Sequence, residues 1–90
     1  MQTTETTLYT KRYDMYREKA DKIANYKSYS DRKKIDSLLE LNATIYANLG
    51  TDSTKTEWQT ANVTSRHIYR LIKQYDERLG EMCLRDSLND

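Results

Sequence analysis

From Trp58 to Met82 one spacing repeats without a break. Trp58, Ala61, Ser65, Ile68, Ile72, Tyr75, Leu79 and Met82 follow one another at alternating steps of three and four. An α-helix with that spacing carries all eight side chains on one stripe. A stripe of that length has to be covered by other helices along most of its course. The rest of the chain offers little to interrupt helices, since it has no proline and only two glycines, Gly50 and Gly80. The fold class is therefore all-α.

Two further stripes supply the partners. Tyr9, Tyr13, Tyr16, Ala20 and Ile23, widened by Leu8, Met15 and Ala24, predict a first helix over about 4–26. A tyrosine hydroxyl needs a partner when buried, so the three rings suit a thin bundle whose hydroxyls reach the rim. Ile35, Leu38, Asn42, Ile45 and Leu49, with Leu39, Leu41 and Tyr46 beside them, predict a second helix over 31–49. Ser28 or Ser30 is placed to cap it, and Gly50 stands where a left-handed C-terminal cap belongs. Thr54 with Glu57 has capping-box spacing and opens a third helix, expected to run over 54–86.

These elements predict a single domain over 1–90, an antiparallel three-helix bundle (up-down-up) with a long third helix. That helix would span ~50 Å, against ~35 Å and ~28 Å for the others, at ~1.5 Å per residue. Its end would overhang, leaving Leu79, Met82, Cys83 and Leu84 as a contact surface, with dimerisation completing the bundle. A second candidate face is Tyr9, Tyr13 and Tyr16. Gly80 offers the alternative that the third helix ends there and the chain folds back.

Composition points the same way. Apolar residues are 37% of the chain and charged residues 32%. That is a small core for 90 residues, so a partner or a second copy would add to stability. The lone Cys83 gives no internal disulfide and no sign of an oxidising compartment. The start MQTTETTLY has neither a basic region nor an apolar run, so no signal peptide is expected. No stretch of 18 apolar residues is present to span a membrane, and a cytoplasmic location follows by default. Residues 1–34 carry nine basic and five acidic side chains, and residues 35–90 carry six and nine. The excess in the first third reads as a solvated face, with Glu18–Lys22 and Arg17–Asp21 at pairing distance on a helix.

Catalytic chemistry finds few residues to use. His67 is the only histidine, and Cys83 would lie ~24 Å from it on one continuous helix. No cluster has zinc-ligand spacing, and the isolated glycines cannot cradle a phosphate. Adjacent Asp76 and Glu77 point apart on a helix. No enzyme, cofactor, metal or small-molecule substrate is expected. Asn42, at a core position, is expected at the rim, bonded to water or to a tyrosine hydroxyl, and Ser65 is read in the same way.

The string NVTSRHIYRLIK, Asn62 to Lys73, resembles the turn and recognition helix of helix-turn-helix proteins of the excisionase and MerR-like type. The resemblance covers twelve residues and departs from the pattern upstream, where Glu57 and Trp58 replace an apolar and a small residue. It implies a turn at 62–65 with Val63 plugging the core. Arg66, His67, Tyr69, Arg70 and Lys73 would then face DNA.

Two functions are thus expected of the chain. The first is a non-enzymatic helical protein–protein interaction module, of the assembly-adaptor or inhibitor kind found among phage and mobile-element accessory proteins, which self-associates or docks on a larger protein. The alternative is a small DNA-binding regulator using 57–73.

Overall fold

Four α-helices follow one another in the computed structural model: α1 (Thr4–Asn25), α2 (Asp31–Ala47), α3 (Lys55–Tyr75) and α4 (Glu77–Leu88). Residues 4–50 and 53–88 are described, with side chains described from 11 to 86 within those ranges. The chain is all-helical, as the stripes require, but it has four helices where three were expected.

Local chemistry sets the helix ends. Ser30 caps α2, its hydroxyl accepting from the Lys33 backbone N–H at 3.2 Å. Thr54 caps α3 in the same way, accepting from the Glu57 N–H at 3.1 Å. The C-terminus of α2 differs from expectation. The helix stops at Ala47, and Asn48 caps it in a right-handed conformation. Gly50 supplies no left-handed cap, since no described glycine has a positive φ. It turns the loop instead, its N–H donating to the Ser53 hydroxyl at 2.9 Å while its carbonyl accepts from the Ser53 N–H.

Contacts between helices give their directions. Tyr46 of α2 meets Trp58 of α3, and Lys34 of α2 sits over the Tyr75 ring of α3, so these helices run antiparallel. The Tyr16 hydroxyl accepts from Asn48 at 2.8 Å, and the Tyr75 hydroxyl donates to the Ala24 carbonyl at 2.6 Å. The core lies between α1, α2 and α3. Tyr13, Tyr16, Ala20 and Ala24 enter it from α1, Ile35, Leu38, Leu41 and Ile45 from α2, and Ala61, Ile68 and Ile72 from α3. The stripes located this core well, with four exceptions among the described side chains. Met15, Leu39, Trp58 and Met82 are exposed.

The third helix is the main correction. The 3-4 rhythm continues to Met82, but the helix does not. Asp76 adopts an extended conformation, its N–H closing α3 on the Ile72 carbonyl at 2.8 Å. Its carboxylate accepts from the Leu79 N–H at 3.0 Å and so caps α4. One residue therefore ends one helix and starts the next. The fold-back brings Gly80 directly against Lys73. A Cβ on Gly80 would overlap the Lys73 Cβ and lie 2.7 Å from its backbone nitrogen. Lys73 and Glu81 then meet across the corner at 3.7 Å. Gly80 does not end the helix. It is the point of contact between the two.

The run TANVTS at 60–65 stays helical despite its low intrinsic preference for that state. The Thr60 hydroxyl donates to the Thr56 carbonyl and the Thr64 hydroxyl to the Thr60 carbonyl, both at 2.9 Å. Hydroxyls that favour turns when they bond elsewhere are here turned back into the helix. The helix runs through 60–65 as the 3-4 rhythm predicts, and the turn implied there by the helix-turn-helix resemblance is absent.

Candidate functional site

α3 touches all three other helices, while α4 packs on α3 alone among the described residues. Different faces of α3 therefore do different work. The face toward α2 carries a polar bridge within the core. Asn42 donates to the Tyr69 hydroxyl at 2.9 Å, and its carbonyl oxygen accepts from the Ser65 hydroxyl. Asn42 thus lies half-buried and bonded to a tyrosine hydroxyl, as expected. Ser65 is fully buried and partners Asn42, where the sequence suggested only water or a tyrosine. The face toward α1 carries His67, whose Nε2 lies 2.8 Å from an Asp21 carboxylate oxygen. Asp21 meets His67 and not Arg17, with which sequence spacing had matched it.

The outer face of α3 is different. Beside the last turn of α2, the residues Tyr46, Lys55, Trp58, Gln59, Asn62 and Val63 line a groove with a cavity volume of about 680 Å³. Trp58 is 45% exposed and Val63 59%. The Tyr46 and Trp58 rings lie 6.4 Å apart, tilted by 40°. This position follows from the chain ends. α2 stops at Ala47, one residue past Tyr46, and Leu49 of the link packs on the core, so Trp58, in the first turn of α3, lies beside the last turn of α2 with no further α2 residue to cover it. Val63 falls five residues before Ile68, on the side of α3 away from the core.

The stripe places Trp58 in the core and the helix-turn-helix resemblance makes Val63 a core plug, and neither points to the groove. The signal for Val63 was present in its offset from the stripe. Trp58 sits on the stripe by spacing, and only the ending of α2 uncovers it.

The candidate interface residues are distributed as follows. The Tyr9 side chain lies outside the described residues. Tyr13 and Tyr16 are 3% and 8% exposed, within the core, and present no free face. Burial, ahead of the nearby Glu57 carboxylate, pushes the Tyr13 phenol above its ordinary pKa. Leu79 packs against the core, and Cys83 and Leu84 are half-buried on α4. Met82 is 52% exposed. The overhang from which these four were inferred is absent, because α4 folds back at Asp76. Burial, ahead of Asp86, raises the Cys83 thiol above its ordinary value. The fold-back also removes the ~24 Å separation argued from one continuous helix.

The candidate DNA-facing residues are mostly committed within the protein. Tyr69 bonds Asn42, His67 faces Asp21, and Lys73 pairs with Glu81 beneath α4. Arg66 holds its Nε buried without an acceptor among the described residues. Only Arg70 of the five is exposed. The segment 57–73 lies within one continuous helix and has no helix-turn-helix geometry.

Among the described residues no three His, Cys, Asp or Glu side chains gather as a metal site. No described helix is long and apolar enough to cross a membrane. No protein-family model, curated protein or solved structure matches the chain.

Proposed function

We propose that this chain is a cytoplasmic, non-enzymatic helical interaction module of the adaptor or inhibitor kind, and that it docks on a protein partner through the groove between α2 and α3. The observation that carries this reading is the exposure of Trp58 and Val63 side by side on a concave surface. Aromatic and branched side chains are costly to leave in water, and a groove lined by them suits the apolar face of a helix. Tryptophan and tyrosine are also the side chains that most often anchor interfaces. A second copy remains an alternative occupant, with Met82 as its contact.

Selection from a displayed library of amphipathic helical peptides tests the reading. Peptides enriched on the wild-type protein are expected to lose binding to Trp58→Ala, a substitution at a half-exposed position that leaves the core intact. Equal enrichment on both proteins, or none on either, would remove the groove as the docking site.

A further inference from the structure

We infer that the partner segment seated in this groove is acidic, and that one of its carboxylates bonds Arg66. This rests on the docking reading above and specifies the chemistry of the occupant.

Three observations converge on it. Charge comes first. From Trp58 to Tyr75 the chain contains no aspartate or glutamate, while it contains Arg66, Arg70 and Lys73. The facing stretch of α2, from Leu41 to Ala47, carries no charge of either sign. The one charged residue lining the groove is Lys55, a cation. Glu57, next to Trp58 in sequence, lies toward Tyr13 of α1, and Glu81 offsets Lys73. An occupant therefore meets apolar surface with Lys55, Arg66 and Arg70 as the cations that no ion pair neutralises among the described residues, and opposite charge on the occupant is favoured.

Position is the second. Lys55, Asn62, Arg66 and Lys73 follow at steps of seven, four and seven, so they share one line along the outer face of α3. α4 covers the Lys73 end of that line, through Gly80 and Glu81. The other end remains open, and there Asn62 and Lys55 line the groove. Arg66 stands between the two, one turn beyond Asn62 and Val63.

The third is the state of Arg66 itself. Its Nε is buried and has no acceptor among the described residues. A buried donor left unsatisfied is costly, and more so when it belongs to a charged group. Glu81 on α4 already fills that role toward Lys73. The Arg66 Nε is shielded from outside, so a carboxylate brought by the partner would bond the terminal nitrogens of this half-buried side chain and balance its charge, in the bidentate manner that guanidinium groups favour. A segment with an apolar residue over Trp58 and Val63, and an Asp or Glu one helical turn away, meets both requirements.

The experiment uses the full chain and three synthetic helical peptides. They share one leucine face and differ only in carrying glutamate, glutamine or lysine at the flanking positions. Binding is read from the emission of Trp58, the only tryptophan in the chain. The glutamate peptide is expected to bind about tenfold more tightly than the glutamine peptide at low salt, with the lysine peptide weakest. Salt should narrow that gap. Arg66→Gln should bring the glutamate and glutamine peptides close to equal affinity. Val63→Glu, at an exposed position that tolerates substitution, should reverse their order even if Arg66→Gln fails to fold. Equal binding of all three peptides to the wild type would overturn the acidic inference and leave the groove reading standing. No change in Trp58 emission with any peptide would overturn both. Displacement of the glutamate peptide by a single-stranded oligonucleotide that itself binds more tightly would overturn the inference in favour of a nucleic acid.

Discussion

Asn42 shows how much can rest on one polar side chain. Its amide bridges two residues of α3, and one of them, Ser65, is fully buried. Asn42→Ala leaves that hydroxyl and the Tyr69 hydroxyl without their shared partner, at an expected cost of about 1–3 kcal/mol. The lower end is favoured, since Ser65 can turn to the carbonyl four residues back, as Thr64 already does. Urea denaturation of Asn42→Ala, Ser65→Ala and the double variant measures it. The double variant should cost clearly less than the sum of the two single variants, and strict additivity would mean that the two side chains do not interact. Cys83 gives a second test at this scale. Burial and the neighbouring Asp86 both favour the neutral thiol, with burial the larger cause. Because the folded-state pKa is raised, the contribution to stability is present at neutral pH and is lost as pH rises past the ordinary thiol range. The alkylation rate of the native protein should therefore rise with pH later than that of the urea-unfolded chain. Asp86→Asn should recover only a minor part of the delay. Coincident profiles would show a solvated thiol. Much at this scale was legible in advance, because spacing alone separates buried Ile68 and Ile72 from exposed Arg70. The partner of Ser65 was not, because spacing along one helix carries no information about which residue of another helix stands opposite.

At the scale of the element, the corner at Asp76 decides the architecture. Sequence periodicity passed over it because Ile72, Tyr75, Leu79 and Met82 keep their 3-4 rhythm on both sides of the break. A regular stripe looks the same whether one helix carries it or two helices meeting at a single extended residue. The relevant signal was chemical: an aspartate followed by Glu77, with Leu79 at the position whose N–H a capping side chain reaches. In the sequence Gly80 reads only as a possible helix end where the chain folds back. Its role is steric, since α4 can lie on α3 only where no Cβ intervenes. Gly80→Ala should therefore push α4 away from Lys73 and cost about 1–3 kcal/mol, the range for overpacking, despite alanine's better helix preference. Hydrogen exchange localises the effect. Amides of α4 should lose protection while those of α1 and α2 keep theirs. A stabilised protein, with α3 and α4 unchanged, would show that the close approach at Lys73 is easily relieved.

For the molecule as a whole, α3 is the common support. α1 and α2 pack on it and on each other, and α4 rests on it alone. That arrangement divides the chain into a core that closes without α4 and an arm that depends on the core. It also changes the argument for self-association. A long overhanging helix would have required a second copy to cover its end, whereas the folded-back α4 covers its own Leu79 against the core. Open on the described surface are the groove at the far end of α3 and, elsewhere, the large apolar side chains of Met15, Tyr26, Leu39 and Met82. The all-α class and most of the core were legible in the sequence because burial repeats with the helical period. The groove was not, because it results from where α2 ends relative to where α3 begins. The division into core and arm predicts the behaviour of a chain that stops at Asp76. It keeps every fully buried apolar side chain of α1, α2 and α3 and both capped starts, at Ser30 and Thr54. It loses the half-buried Leu79, Cys83 and Leu84, which together contribute on the order of 2–4 kcal/mol when partial burial is allowed for. Circular dichroism should show helix content lowered by the missing segment only, with thermal unfolding still cooperative and shifted to lower temperature. A truncated chain without cooperative unfolding would make α4 integral to the core, and the contact at Gly80 would then be a condition of folding at all.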